Sequence, residues 1–250
     1  MFNLKYIARK VPEITIYFWI IKLLSTAMGE STSDYLVFHI NPYVAVAIGG
    51  IGLILSLILQ FWVNRYTAWI YWLTVVMIAI FGTMAADVLH VVLGIPYLVT
   101  TVFFSVLLVV VFLAWRKTEK TLSIHSINTR RREIFYWLTV MTTFALGTAA
   151  GDLTAATLGL GYLFSGILFA LLFIIPILGY WKFGWNEIFT FWFAYVITRP
   201  LGASFADWFG KPILGGLGLG DEIVSIVLTI MIIVFVVYLT ISPRKDTTVK

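Results

Sequence analysis

The sequence predicts an all-α, polytopic membrane protein: eight transmembrane helices in four parallel two-helix repeats, a pseudo-fourfold arrangement, and both termini cytoplasmic. Three observations carry that expectation. The chain is 61% hydrophobic and only 12% charged, with a mean hydropathy of +0.98, so it cannot cover itself with polar surface as a soluble domain of 250 residues must. Its apolar runs are about 20 residues long, the length that crosses a hydrocarbon core of roughly 30 Å as a helix whose backbone satisfies itself in lipid. Its basic residues fall on alternate connections between those runs.

The runs lie at about 12–36, 42–63, 67–92, 96–115, 134–156, 161–181, 187–208 and 222–242. MFNLKYIARKVPE is polar and merges with a first run too long for a signal-peptide core, so no cleavable leader is expected. Lys5, Arg9, Lys10, Arg65, Arg116, Lys117, Lys120, Arg130, Arg131, Arg132, Lys182, Arg244, Lys245 and Lys250 share one side of an eight-span topology, and Lys211 stands alone on the other. By the positive-inside rule the first side is cytoplasmic, and the basic stretch 116–133 is its largest feature, a linker with His125 solvated. The net charge of +5 therefore signals topology and not nucleic acid. Cysteine is absent, which excludes thiolate metal sites and disulfides. Asp221 and Glu222 read as first-turn acids of the last helix.

Four hexapeptides share Gly, four residues, then Asp: GESTSD (29–34), GTMAAD (82–87), GTAAGD (147–152) and GASFAD (202–207). Each follows an aromatic pair ending in Trp, at Trp19, Trp72, Trp137 and Trp192, and the Trp-to-Asp spacing is 15 residues every time. Two fixed anchors recurring four times make a repeat, giving one transmembrane domain over 1–250 with units at about 12–63, 67–115, 134–181 and 187–242. This pattern resembles a family of bacterial membrane proteins catalogued as four tandem repeats of unknown function, each with two transmembrane segments and a characteristic tryptophan. The resemblance covers nearly the whole chain and implies the architecture, with no activity attached. It fits a multi-pass protein of a bacterial or archaeal cytoplasmic membrane.

Two spans per repeat make the repeats parallel, so Asp34, Asp87, Asp152 and Asp207 share one depth, about 22 Å beyond the Trp level. The small residues beside them favour close helix contacts, and an Asp facing lipid costs at least about 2.5 kcal/mol, so the carboxylates should face the bundle interior or a wet vestibule. There they either pin the repeats together or bind a cation or protons. One turn before each Asp stand Glu30, Thr83, Thr148 and Ala203. Only the first repeat adds an acid, and only the first and last carry basic groups within their spans, Lys22 and Arg199. Five acids against two bases leave three negatives for a cation or protons to balance.

Carboxylate oxygens select hard cations, and His90, three residues after Asp87, is a candidate metal ligand for a bound divalent ion. Crowded carboxylates disfavour double ionisation in low dielectric, which makes proton exchange against the cation a natural consequence. Pro200 is expected to kink or interrupt the seventh span, and Arg199 to pair with an Asp of another repeat. The aromatic residues at span ends read as interfacial anchors, with the fixed Trp as a possible packing element between repeats. No enzymatic residue set is evident. The favoured expectation is proton-coupled secondary transport of a divalent cation, against a passive cation or proton channel and a non-transporting scaffold or regulator. The expected partners are the lipid bilayer and the cation, with no nucleic acid; the ring of repeats could close within one chain or be completed by a second copy.

Overall fold

The computed structural model describes residues 9–241; Lys5, Arg244, Lys245 and Lys250 lie outside the described residues. The described chain forms eight long helices: α1 (Ile16–His39), α2 (Pro42–Trp62), α3 (Ala68–Asp87), α4 (Tyr97–Glu119), α5 (Arg130–Asp152), α6 (Gly161–Phe183), α7 (Glu187–Gly210) and α8 (Asp221–Ile241). Several start on side-chain caps that satisfy first-turn N–H groups, as Thr15, Asn41, Thr129 and Asn186 do for α1, α2, α5 and α7. Six helices, all but α1 and α7, are long and apolar enough to cross a membrane.

The odd-numbered helices form an inner ring in the cyclic order α1, α3, α5, α7, with α7 packed back on α1. Each even-numbered helix packs mainly on the odd helix of the next repeat: α2 on α3, α4 on α5, α6 on α7 and α8 on α1. The ring thus closes within one chain. The outer helices turn a broad apolar face outward, such as Ile51, Ile54 and Ile58 of α2 or Val227, Ile230 and Val234 of α8, the surface that hydrocarbon accepts.

Two belts of repeated contacts hold the inner ring, and both run once around it. In the first, each motif Trp packs on the aromatic residue preceding the motif Trp of the previous repeat. Ring centroids are 5.7 Å apart for Trp72–Phe18, 5.4 Å for Trp137–Tyr71, 6.1 Å for Trp192–Tyr136 and 5.7 Å for Trp19–Phe191. Trp72, Trp137 and Trp192 are buried, so the fixed tryptophan is a packing element between repeats and not a membrane-edge anchor. In the second belt, the motif glycine faces the residue seven after the next repeat's Trp: Gly29 on Ala79, Gly82 on Phe144, Gly147 on Arg199 and Gly202 on Thr26. A Cβ at any of the four would press into that neighbour. The motif keeps its glycine because adjacent inner helices touch there.

Two expectations change at this level. Pro200 does not interrupt α7, which is a single helix from Glu187 to Gly210. The irregular turns sit elsewhere: α3 and α5 pass directly after Asp87 and Asp152 into π-helical turns, Val88–Val92 and Leu153–Thr157. Glycines with positive φ, Gly94 and Gly159, follow them. The stretch 116–133 is also less of a loop than expected. α4 continues to Glu119, α5 begins at Arg130, and the intervening Ile124 and Ile127 are buried against the bundle. His125 is exposed, with Nε2 3.1 Å from a Glu187 carboxylate oxygen.

Candidate cation site

Because the inner helices are in register, equivalent positions form layers across the ring. At the Trp end, Phe18, Tyr71, Tyr136 and Phe191 fill the centre, all buried, with the Tyr71 and Tyr136 hydroxyls hydrogen-bonded to each other. Four residues on along each helix come Lys22, Val75, Val140 and Tyr195, and four further on Thr26, Ala79, Phe144 and Arg199. Glu30, Thr83, Thr148 and Ala203 form the next layer, and the four Asp residues the last. The bundle is sealed by aromatic side chains at one end and carries Glu30 and the four motif Asp residues toward the other.

The Arg199 guanidinium fills the layer above its own. Its Nη2 lies 2.5 Å from Glu30 Oε2, 2.5 Å from Thr83 Oγ1 and 2.6 Å from Thr148 Oγ1. These are the three members of that layer with a side-chain oxygen. The fourth, Ala203, lies on Arg199's own helix. The expected partner, an Asp of another repeat, is replaced by Glu30, because an arginine one turn below the Asp layer reaches that turn first. Both groups are fully buried, and such a pair holds only where hydrogen bonds satisfy the remaining atoms. Thr83 supplies one to Glu30 at 3.3 Å, while Arg199 Nε and Nη1 find no hydrogen-bond partner.

The Asp layer splits into two halves. Asp34 and Asp207 are 8% and 3% exposed, and Lys211 Nζ lies between them, 2.7 Å from Asp34 Oδ2 and 2.8 Å from Asp207 Oδ1. Burial opposes charge on that lysine, yet the Asp207 and Asp34 carboxylates hold its ammonium well above the ordinary lysine range. Glu30, Asp34 and Asp207 each offer one carboxylate oxygen, all within 4.8 Å of one another, the spacing of a metal-ligand set. Asp87 and Asp152 are only partly buried and take part in no ion pair among the described residues.

Lys211 is the site residue that sequence reading set aside. Its signal was present, since it stands four residues after Asp207 and extends the same helix face. With it, five acids face three bases, and the formal excess falls from three negatives to two. Lys22 meets no carboxylate. Its Nζ has no hydrogen-bond partner and rests 3.9 Å from the Phe144 ring centroid and 4.3 Å from that of Tyr195. His90 stands apart from the three-carboxylate group: its Nδ1 is 2.9 Å from the Ile95 carbonyl oxygen, and its ring stacks on Tyr97 at 3.6 Å. A second buried ion pair, Lys10 Nζ to Glu133 Oε2 at 2.6 Å, lies at the Trp end, with Gln60 Nε2 3.2 Å from Glu133 Oε1.

A family described as Repeat of Unknown Function (DUF347) matches the chain four times in tandem, at residues 17–66, 70–121, 135–184 and 190–245. No curated protein and no solved structure matches the chain.

Proposed function

This chain belongs to the Repeat of Unknown Function (DUF347) family; as that description carries no activity, we propose from the site that the protein is a secondary transporter exchanging a divalent cation for protons across a membrane. One observation carries the reading. Glu30, Asp34 and Asp207, brought together from two adjacent inner helices, present three oxygens at ligand spacing, and tethered cations on Arg199 and Lys211 offset two of the three charges. Hard oxygens at that spacing suit Mg²⁺, Ca²⁺ or Mn²⁺, with metal–oxygen bonds of about 2.0–2.6 Å. Lys211 occupies the empty site and gives way to the arriving ion, whose two charges balance the one negative charge that Arg199 and Lys211 leave among the three carboxylates and the one that the departing lysine uncovers. Asp87 and Asp152, unpaired and nearer the mouth, take up and release protons as that ion comes and goes.

All eight helices span in this reading, with both termini cytoplasmic. α1 and α7 are the least apolar because they carry Lys22, Glu30, Asp34, Arg199 and Asp207, and the ring turns every one of these inward, away from lipid. The site then faces the extracytoplasmic side, and the buried aromatic layer bars the cytoplasmic one. That filled axis favours alternating access over a passive channel.

The test is ion flux into liposomes holding the purified protein, with an internal pH dye and Mg²⁺, Ca²⁺ and Mn²⁺ offered in turn. Cation entry matched by proton exit, and lost in Asp34→Asn and Asp207→Asn, is the expected result. Absence of flux for all three ions, in protein that melts cooperatively, overturns the reading in favour of a scaffold.

A further inference from the structure

Two residues of the fourth repeat depart together from the pattern of the other three. Four residues after the motif Asp stand Phe38, Val91 and Ala156 in the first three repeats, and Lys211 in the fourth. Near the start of the outer helix stand Tyr43, Tyr97 and Tyr162, and in the fourth repeat Asp221, the first residue of α8. A base and an acid thus enter as a set, and the connection between them holds them close. The N–H groups of Gly218, Leu219 and Gly220 donate to the carbonyls of Lys211, Phe209 and Gly210 at 3.2, 2.9 and 3.0 Å, which lays the start of α8 against the end of α7.

Asp221 Oδ1 is buried and has no hydrogen-bond partner. It lies directly on Gly210, where an added Cβ would collide with it. Lys211 Cα is one peptide further on, about 3.8 Å, and the flexible four-carbon stem of a lysine covers that span. The charges of Lys211 and Asp221 already act on each other, while the ammonium itself rests between Asp34 and Asp207. A buried carboxylate oxygen without a donor is costly. Placed within the sweep of a lysine that is held elsewhere, it is a second seat for that lysine.

We propose that Asp221 is the residue to which Lys211 moves when a divalent cation enters the site of Glu30, Asp34 and Asp207, so that one ammonium alternates between two carboxylate seats as the site empties and fills. The inference rests on the transport reading above and accounts for the charge of its substrate. Glu30, Asp34, Asp207 and Asp221 carry four negative charges and Arg199 and Lys211 two positive ones, which leaves two negatives. A divalent ion cancels both: the ion and Arg199 balance the three ligand carboxylates, and Lys211 balances Asp221. A monovalent ion leaves one negative charge uncompensated in a buried layer, which is unfavourable. Asp221 is therefore a positioning residue. It acts on the ion only by receiving the lysine that competes with it.

Calorimetric titration of the full chain with Mn²⁺ tests this through a double-mutant cycle. Asp221→Asn should weaken Mn²⁺ binding about tenfold when Lys211 is present and less than about twofold in Lys211→Ala. An equal loss in both backgrounds, or none in either, overturns the inference and leaves the transport reading standing. No binding of Mn²⁺, Mg²⁺ or Ca²⁺ to the unmodified protein overturns the transport reading, and the inference with it. A second measurement needs no metal. In Asp34→Asn/Asp207→Asn the lysine loses its first seat and should pass to Asp221, so adding Asp221→Asn there should lower the unfolding temperature at least about 2 °C more than it does in the unmodified protein. Equal shifts in the two backgrounds overturn the inference alone.

Discussion

The first and fourth repeats and the second and third carry the same Gly-to-Asp motif at the same depth, yet they build different chemistry. On one side of the ring, Asp34 and Asp207 are buried, bridged by Lys211 and joined by Glu30, itself tied to Arg199. On the other, Asp87 and Asp152 are partly exposed, belong to no ion pair among the described residues, and run straight into π-helical turns. The motif sets depth and direction. The residues that do not repeat, Glu30, Arg199 and Lys211, decide which of the four carboxylates form a binding site.

The sharpest way to break this comparison is to remove Arg199. Arg199→Leu leaves Glu30 charged and buried, and thermal unfolding in detergent should report a loss of about 3–5 kcal/mol. The double variant Glu30→Gln/Arg199→Leu should recover most of it. Additive losses would mean that the two groups are not a pair.

Next in size is the glycine belt. Gly202→Ala drives a Cβ into Thr26 and the backbone nitrogen of Ala27, and overpacking of this kind costs about 1–3 kcal/mol. At Gly151, inside the third motif, the nearest atom to an added Cβ is Ser204 Oγ at 3.9 Å, so Gly151→Ala should stay within about 0.5 kcal/mol. Equal effects in the two unfolding curves would argue against the belt.

Calorimetric titration with Mn²⁺ addresses the two halves directly. Asp207→Asn should weaken binding about tenfold or more, roughly 1.4 kcal/mol, and Lys211→Ala, which removes the resident competitor, should tighten it by a similar factor. Asp87→Asn should change it less than about threefold, roughly 0.65 kcal/mol. The reverse order would move the metal to the unpaired half.

The smallest expected effect is a pH dependence that stays flat. Neighbouring carboxylates raise the folded value of Lys211, so its contribution is fully present below the unfolded lysine value of about 10.4. It is lost only as pH rises through the higher folded value. The difference in unfolding temperature between the unmodified protein and Lys211→Ala should therefore hold constant from about pH 6 to about pH 9; a fall across neutrality would show that Lys211 is not held charged by Asp34 and Asp207.

Much of this protein was legible in its residues because its organising signals are local or periodic. Run length and hydropathy locate the helices in lipid, and the interval from Trp19 to Asp34, kept in three further copies, makes four parallel units with their acids at one level. Those properties depend on rise per residue and on solvent, which a chain carries without reference to its partners. Even Lys211 left a local trace, four residues beyond Asp207. What only the tertiary structure decided is who meets whom across the ring. That Gly147 faces Arg199, that Arg199 reaches Glu30 instead of an Asp, that Lys22 finds aromatic faces and no carboxylate, and that α8 closes on α1 all depend on the rotation of each helix about its own axis. In an apolar sequence that rotation has little hydrophobic asymmetry to set it, so close packing and the pairing of a few buried charges choose it.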